Sequence, residues 1–200
     1  MAGTAKTYNS AKIMANSADV WIDVQVPSSG ARMTLDDPTG TPDSAASPNA
    51  KHLGLTEKGS TVSFKTEVQS FEADELTSPW KQQLSNEEAT IKGNFLQIED
   101  WTILGLITPG GTKSVGAGYE QLTFGGSTTV VTKSIALIAP SALNAGKWVV
   151  FHLYKAFNKA GIELALSRKD FSKVPYEFSG LSDTARPQGD QVGNFWHQIP

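Results

Sequence analysis

The sequence predicts a mainly β chain with one short helix, extended ends and a long loop. Three observations carry that expectation: apolar and polar residues alternate over several segments, 18 glycines and 10 prolines punctuate the chain, and one stretch alone has helical spacing of apolar residues. The clearest alternation follows Leu53-Gly54-Leu55-Thr56-Glu57-Lys58-Gly59. There Val62, Phe64, Thr66 and Val68 fall on one side, and Ser63, Lys65, Glu67 and Gln69 on the other. A strand with one dry and one wet face is expected, leading into an acidic stretch with Glu72, Asp74 and Glu75. The wet face fronts either bulk solvent or a water-filled channel built from several copies.

The elements follow in order. Residues 1–18 are small and polar and are expected to form a flexible or docking arm. The first strand is expected over Asp19–Val26, where Val20, Ile22, Val24 and Val26 alternate with Trp21, Asp23 and Gln25, and Pro27-Ser28-Ser29-Gly30 ends it. Residues 28–49 are dense in turn formers and have little to bury, so they are expected as a loop whose length implies a task. The alternating strand is expected to pair with Thr90–Ile98, with turns at Leu76–Trp80 and Ser85–Glu88. A short helix is expected over Glu99–Ile107, because Trp101, Ile103, Leu104 and Ile107 share a side and the acids Glu99 and Asp100 suit its positive end. Pro109-Gly110-Gly111 stops it, and a glycine-rich connection follows.

Further strands are expected at Glu120–Phe124, Thr128–Ala139, Lys147–Phe157, Ile162–Leu166 and Val174–Phe178, with a hairpin turn at Asn158–Gly161. Trp148–Tyr154 is apolar on both sides, the pattern of a central strand covered on two faces. The expected organisation is one domain over residues 19–180, flanked by arms 1–18 and 181–200. The C-terminal arm carries Phe195, Trp196 and Ile199, large apolar groups for which a neighbouring subunit is one destination.

Composition excludes several classes of function. A chain of 200 residues with 39% hydrophobic content buries a sizeable core in one domain. No apolar run approaches the length of a bilayer, and Met1–Ala15 lacks the apolar core of a signal peptide, so a soluble, cytoplasmic chain without a membrane partner is expected. The absence of Cys removes disulfides, thiolate catalysis and Cys-based metal sites. A net charge of −3 argues against phosphate-directed nucleic-acid binding. The charge is divided: Glu57–Asp100 carries a net −5 and Lys133–Lys173 a net +5. Such a division suits a molecule that meets copies of itself through unlike surfaces, and equally an ordinary solvated surface.

Catalytic and metal-binding constellations are missing from the pattern. His52, His152 and His197 share no metal-ligand spacing, and His152, between Phe151 and Leu153, is expected to be a strand residue with a satisfied ring nitrogen. The adjacent acids Asp36-Asp37, Asp74-Glu75 and Glu87-Glu88 point to opposite faces if they lie on strands, so they are expected as turn formers and solvated surface. Asp36–Asp43 lacks the spacing of a calcium loop. Gly116-Ala117-Gly118 and Gly125-Gly126 lack the helix or Lys of a phosphate cradle. No enzyme, metal or cofactor is expected. The five tryptophans, Trp21, Trp80, Trp101, Trp148 and Trp196, allow a second reading, a β-sandwich carbohydrate-binding or adhesin module with exposed rings.

Spaced short motifs carry a resemblance from Leu53 to the C terminus. They are Leu53–Gly59, Ala73-Asp74-Glu75-Leu76 with Pro79, Glu87–Gly93, Phe124-Gly125-Gly126, Ala136–Pro140, Val150–Ala156 and Leu181–Gln191. Together they resemble the major tail tube proteins of long-tailed bacteriophages. The resemblance implies an antiparallel β-sandwich or partial barrel with a flanking helix. It also implies hexameric rings that stack into a virion tail tube, through which genome DNA passes without specific binding. Tape-measure, tail-terminator and distal-tail proteins would be its partners, with assembly in the host cytoplasm. On that expectation Lys65, Glu67, Gln69, Glu72 and Asp74 are candidates to line the lumen. Asp36, Asp37, Trp80, Arg186, Phe195 and Trp196 are candidates for contacts between subunits.

Overall fold

The computed structural model describes residues 18–36, 39–71, 78, 81–96, 100–163 and 173–199. The chain is mainly β, with a curled antiparallel sheet that forms a half-barrel. Its strands are β1 (Asp19–Ile22), β2 (Leu35–Asp36), β3 (Thr41–Pro42), β4 (Lys51–His52), β5 (Thr56–Phe71), β6 (Lys81–Phe95), β7 (Thr112–Gly116) and β8 (Tyr119–Thr123). They continue with β9 (Lys133–Pro140), β10 (Trp148–Asn158), β11 (Val174–Gly180) and β12 (Gly193–His197), and the helix α1 (Trp101–Ile107) lies between β6 and β7. The main sheet runs β4-β1-β9-β10-β11-β6-β5, with β12 joined to β10 beside that path. Two small hairpins, β2-β3 and β7-β8, stand apart from it.

The core follows from strand alternation, which sends neighbouring residues to opposite faces. On one face Val20, Ile22, Ile135, Leu137 and Leu153 join Ile91, Phe95, Val174, Tyr176 and Phe178, and α1 covers them with Ile103, Leu104 and Ile107. On the other face Ala136, Ile138 and Val150 pack with Val24 and Met33, flanked by Trp21, Leu35, Trp148 and Trp196. β10 is therefore a central strand covered on both sides, as its sequence predicts. A break in register between Leu153 and Ala156 puts even-numbered Ala156 on the same face as Leu153.

Asp100 caps α1, accepting hydrogen bonds from the Thr102 and Ile103 amides through its carboxylate. At the other end of α1, buried Asn158 donates its side-chain amide to the carbonyls of Ile107 and Gly161 and accepts from the amides of Ala160 and Glu177. One side chain thus ties the helix C terminus to the end of β10 and the middle of β11.

Several sequence expectations need correction. The first strand ends at Ile22, because Asp23 adopts a positive φ of 58° and its carboxylate pairs with Lys133 at 2.8 Å. Residues 28–49 have a good deal to bury: Met33 is almost wholly enclosed, and Gly40 lies against the Trp148 ring. This segment is the cover of the second face, which its turn-rich composition disguises. Ser85–Glu88 is strand within β6, with no turn there. The glycine-rich connection after α1 contains the β7-β8 hairpin. Residues 159–163 form no strand, and the rest of the strand expected at Ile162–Leu166 lies outside the described residues. The stretch expected as a C-terminal arm returns to the sheet, where Gly193–His197 pairs with Leu153–Val149.

Gly40 supplies a test of the cover. Its φ is 70°, and a Cβ there would come within 2.2–2.4 Å of three carbons of the Trp148 ring. Gly40→Ala is expected to destabilise the chain by on the order of 2–4 kcal/mol, from left-handed backbone strain plus overpacking. A urea titration followed by Trp emission checks this.

Candidate assembly surface

The most unusual feature of the molecule is the far half of the β5-β6 hairpin. Pairing runs continuously from Thr61↔Lys92 to Phe71↔Lys81, apart from a shift after Glu67. At that shift Ser85 is the extra residue on β6, and its hydroxyl donates to the Glu67 carbonyl at 3.2 Å. The bulge reverses the facing of β6, so Leu84 comes out on the same side as Val68, its partner in register. One face of the hairpin therefore presents Val62, Phe64, Val68 and Leu84 in line, which a strict period of two on β6 would not achieve. The other face pairs Lys65 with Glu88, Glu67 with Asn86 and Gln69 with Gln83.

Both faces of the hairpin's outer half are exposed. The apolar row is open to solvent, with Val62 at 38%, Phe64 at 57%, Val68 at 54% and Leu84 at 57% of full exposure. The sequence predicts a dry face here, and within a single chain the structure gives two wet ones. Among the described residues β5 is also the last strand of the main sheet, with no described strand along its outer edge. At its base the apolar face continues into a groove of about 630 Å³. The groove lies between Val62 and Phe64 on one side and Leu137, Ala139, Phe151 and Phe195 on the other. Phe195 is 66% exposed and sits opposite Phe151, with ring centroids 6.4 Å apart.

The residues singled out from sequence divide into three groups. Lys65, Glu67 and Gln69 lie together on the polar face of the hairpin, and Asp36 lies exposed on β2. Glu72, Asp74, Asp37 and Trp80 lie outside the described residues. Arg186 and Trp196, expected between subunits, are engaged within the chain. The Arg186 guanidinium bonds to the Asp190 carboxylate, the Asp190 carbonyl and the Pro27 carbonyl, and stacks 3.9 Å above the Tyr154 ring. Trp196 packs against the second core cluster beneath Arg32. Phe195, its neighbour in sequence, faces the opposite way and stays exposed because β12 is a strand. Sequence reasoning missed Leu84, whose facing depends on the Ser85 bulge.

The divided charge is also partly used inside the chain. Lys173 pairs with Glu57 at 2.8 Å and Lys159 with Glu88 at 3.6 Å, each joining the basic segment to the acidic one. Lys133 and Lys155 pair with Asp23 and Asp183, both at 2.8 Å. All four pairs are made within the single chain, and they weaken charge division as an argument for contacts between copies.

Arg186 belongs to a clamp that holds residues 27–30 against the C-terminal segment. Asp190 accepts from the hydroxyls of Tyr154 and Ser29, the Gly30 amide and Arg186. The Tyr154 hydrogen bond is the largest influence holding the Asp190 carboxyl down to about 2. Burial, with the bond to Asp190, pushes the Tyr154 hydroxyl up to about 12. Beneath the clamp lies His152, fully buried, with no protein partner at either ring nitrogen among the described residues. The group expected to satisfy one of its nitrogens is not among the described protein residues. Opposite it on β12, the Asn194 side-chain oxygen is likewise unpartnered. Burial first, and the Arg186 charge second, lower the His152 pKa from 6.5 to about 4.

No described cluster of His, Cys, Asp or Glu is placed to hold a metal ion. The tryptophans form no open platform among the described residues. Trp21 packs on His52, Trp148 lies under Gly40, Trp196 lies under Arg32, and Trp101 alone is largely exposed. No protein-family model matches the chain, and no curated protein sequence matches it significantly.

His152 generates a pH prediction. The folded chain holds it neutral down to about 4, whereas the unfolded chain protonates it near 6.5. Its contribution is thus fully present above pH 6.5 and is lost as pH falls through 4, up to on the order of 3 kcal/mol. In His152→Leu that limb of the stability profile is expected to flatten, and urea titrations between pH 7 and pH 4 check it.

Proposed function

We propose that the chain is a structural, non-enzymatic subunit of a phage tail tube. The observation that carries this reading is the β5-β6 hairpin: a long two-stranded projection, uncovered on both faces, that ends the sheet in an open edge. A hairpin of this kind is marginal by itself in water and gains stability by pairing with another chain. Copies arranged around an axis join edge to edge and close into one larger barrel. A head-to-tail contact along that axis does not close, and it stacks the rings into a filament.

In this arrangement the apolar row Val62, Phe64, Val68 and Leu84 turns towards protein, and the polar row Lys65, Glu67 and Gln69 turns towards the lumen. With Glu88 opposite Lys65 and Lys81 opposite Phe71, charges of both signs are interspersed on that face. DNA then passes without sticking, because scattered carboxylates repel phosphate and no basic cluster retains it. The ring of six, the tape-measure, tail-terminator and distal-tail partners, and the virion location come from the sequence resemblance and belong to the same proposal. The carbohydrate-binding alternative draws no support from the described tryptophans.

Val68 and Leu84 separate assembly from folding, since both side chains are exposed in the single chain. The double variant Val68→Glu/Leu84→Glu is expected to keep the parent's melting temperature within a few degrees. It is also expected to lose the rings or tubes that the parent shows in negative-stain electron microscopy. A variant that assembles as well as the parent would contradict the proposed role of the hairpin.

A further inference from the structure

Six buried side-chain polar atoms have no hydrogen-bond partner among the described residues: Trp148 Nε1, both ring nitrogens of His152, Asn194 Oδ1, Trp196 Nε1 and Gln198 Oε1. All six belong to one stretch of two neighbouring strands. There β10 and β12 pair with His152 opposite Asn194 and Val150 opposite Trp196, and the Gln198 amide, just past β12, donates to the Trp148 carbonyl. The even-numbered residues of both strands share a face. It is the face that residues 28–49 cover, where Trp148, Val150 and Trp196 belong to the second core cluster. The cover lies directly over this row: the Ala31 carbonyl accepts from Asn194 Nδ2 at 3.4 Å, Arg32 sits above the Trp196 ring, and Gly40 lies against Trp148.

The six atoms fall into matched sets across the two strands. A neutral His152 ring carries one donor and one acceptor, and it stands opposite the Asn194 carbonyl oxygen, an acceptor. The Trp148 N–H, a donor, stands opposite the Gln198 carbonyl oxygen, an acceptor. Cross-strand partners are about 5.5 Å apart at the backbone. A single water spans such a gap with two bonds of about 2.8 Å each. With the Trp196 N–H included, the face offers donors and acceptors in equal number and no charge. An anion would be repelled by the acceptors and a cation by the donors. The guest that fits is neutral and both gives and takes hydrogen bonds, and without one the unpaired atoms would cost a large share of an ordinary domain's stability.

We propose that two internal waters are bound between this face and its cover, one bridging His152 to Asn194 and one bridging Trp148 to Gln198. Buried waters make about three hydrogen bonds each, and the Trp196 N–H stands between the two pairs to supply a further donor. The inference does not rest on the tube reading, and it concerns how the second cover is held on the sheet of the single chain.

A crystal structure of the full chain, at a resolution that shows ordered water, tests the proposal. The expected result is one water within hydrogen-bond distance of a His152 ring nitrogen and Asn194 Oδ1, and another shared by Trp148 Nε1 and Gln198 Oε1. A protein group or empty space at either place, or a direct bond between the members of a pair, would overturn it. A double-variant cycle in urea supplies a measurement in solution. Asn194→Leu and His152→Leu are each expected to lower the unfolding midpoint. The double variant is expected to lose clearly less than the sum of the two, because it removes both polar partners of one water. Losses that simply add would contradict a shared water. If His152→Leu does not fold, the cycle of Trp148→Phe and Gln198→Leu carries the same expectation for the second water.

Discussion

The structure depends on one constraint: β10 carries large apolar side chains on both faces, so both faces of the sheet around it must be covered. On one side α1 and the curl of the sheet through β11 and β6 do this. On the other the work falls to residues 24–50, which have little regular structure and are held by single features. Gly40 lets the chain lie flat on Trp148, Met33 fills the space beside Val150, and the Arg186–Asp190 pair fastens residues 27–30. The molecule is therefore a sheet with two unlike covers. His152 lies beneath the second cover without a protein partner among the described residues, and it is tolerated because it remains neutral.

The β5-β6 hairpin escapes that constraint. Its base is in the core, where Ala89, Ile91 and Phe95 are buried, but from Thr61 outward it leaves the covered region. Its outer half buries little against the described residues. Its exposed apolar row and its edge strand are the features on which the proposal of an assembly rests.

Much of this was legible in the sequence, and the failures have identifiable causes. The double-sided apolar run at Trp148–Tyr154 correctly indicates a central strand, and the spacing of Ile103, Leu104 and Ile107 behind Asp100 correctly indicates the helix. The alternation from Val62 to Val68 also predicts a strand. It cannot say whether the apolar side is covered, because coverage depends on where the rest of the sheet ends. Leu84 and the polar run Ser85–Glu88 are misleading, since a bulge changes the facing of a strand without any change in composition. Residues 28–49 have the composition of a loop, and only Met33 and Gly40 hint at their burial. The C-terminal segment is similar: Gly193 offers no side chain to announce a strand, but its backbone lies tightly against His152.

The central claim is that the outer edge of β5, the side away from β6, has no strand beside it among the described residues and gains one on assembly. Amide hydrogen exchange over Thr61–Phe71, followed by mass spectrometry in dilute and concentrated samples, tests it most directly. The account predicts rapid exchange in the dilute chain and strong protection of the same amides in the concentrated one, while β9 and β10 remain protected in both. Equal exchange over Thr61–Phe71 in the dilute chain and in assembled material would contradict it.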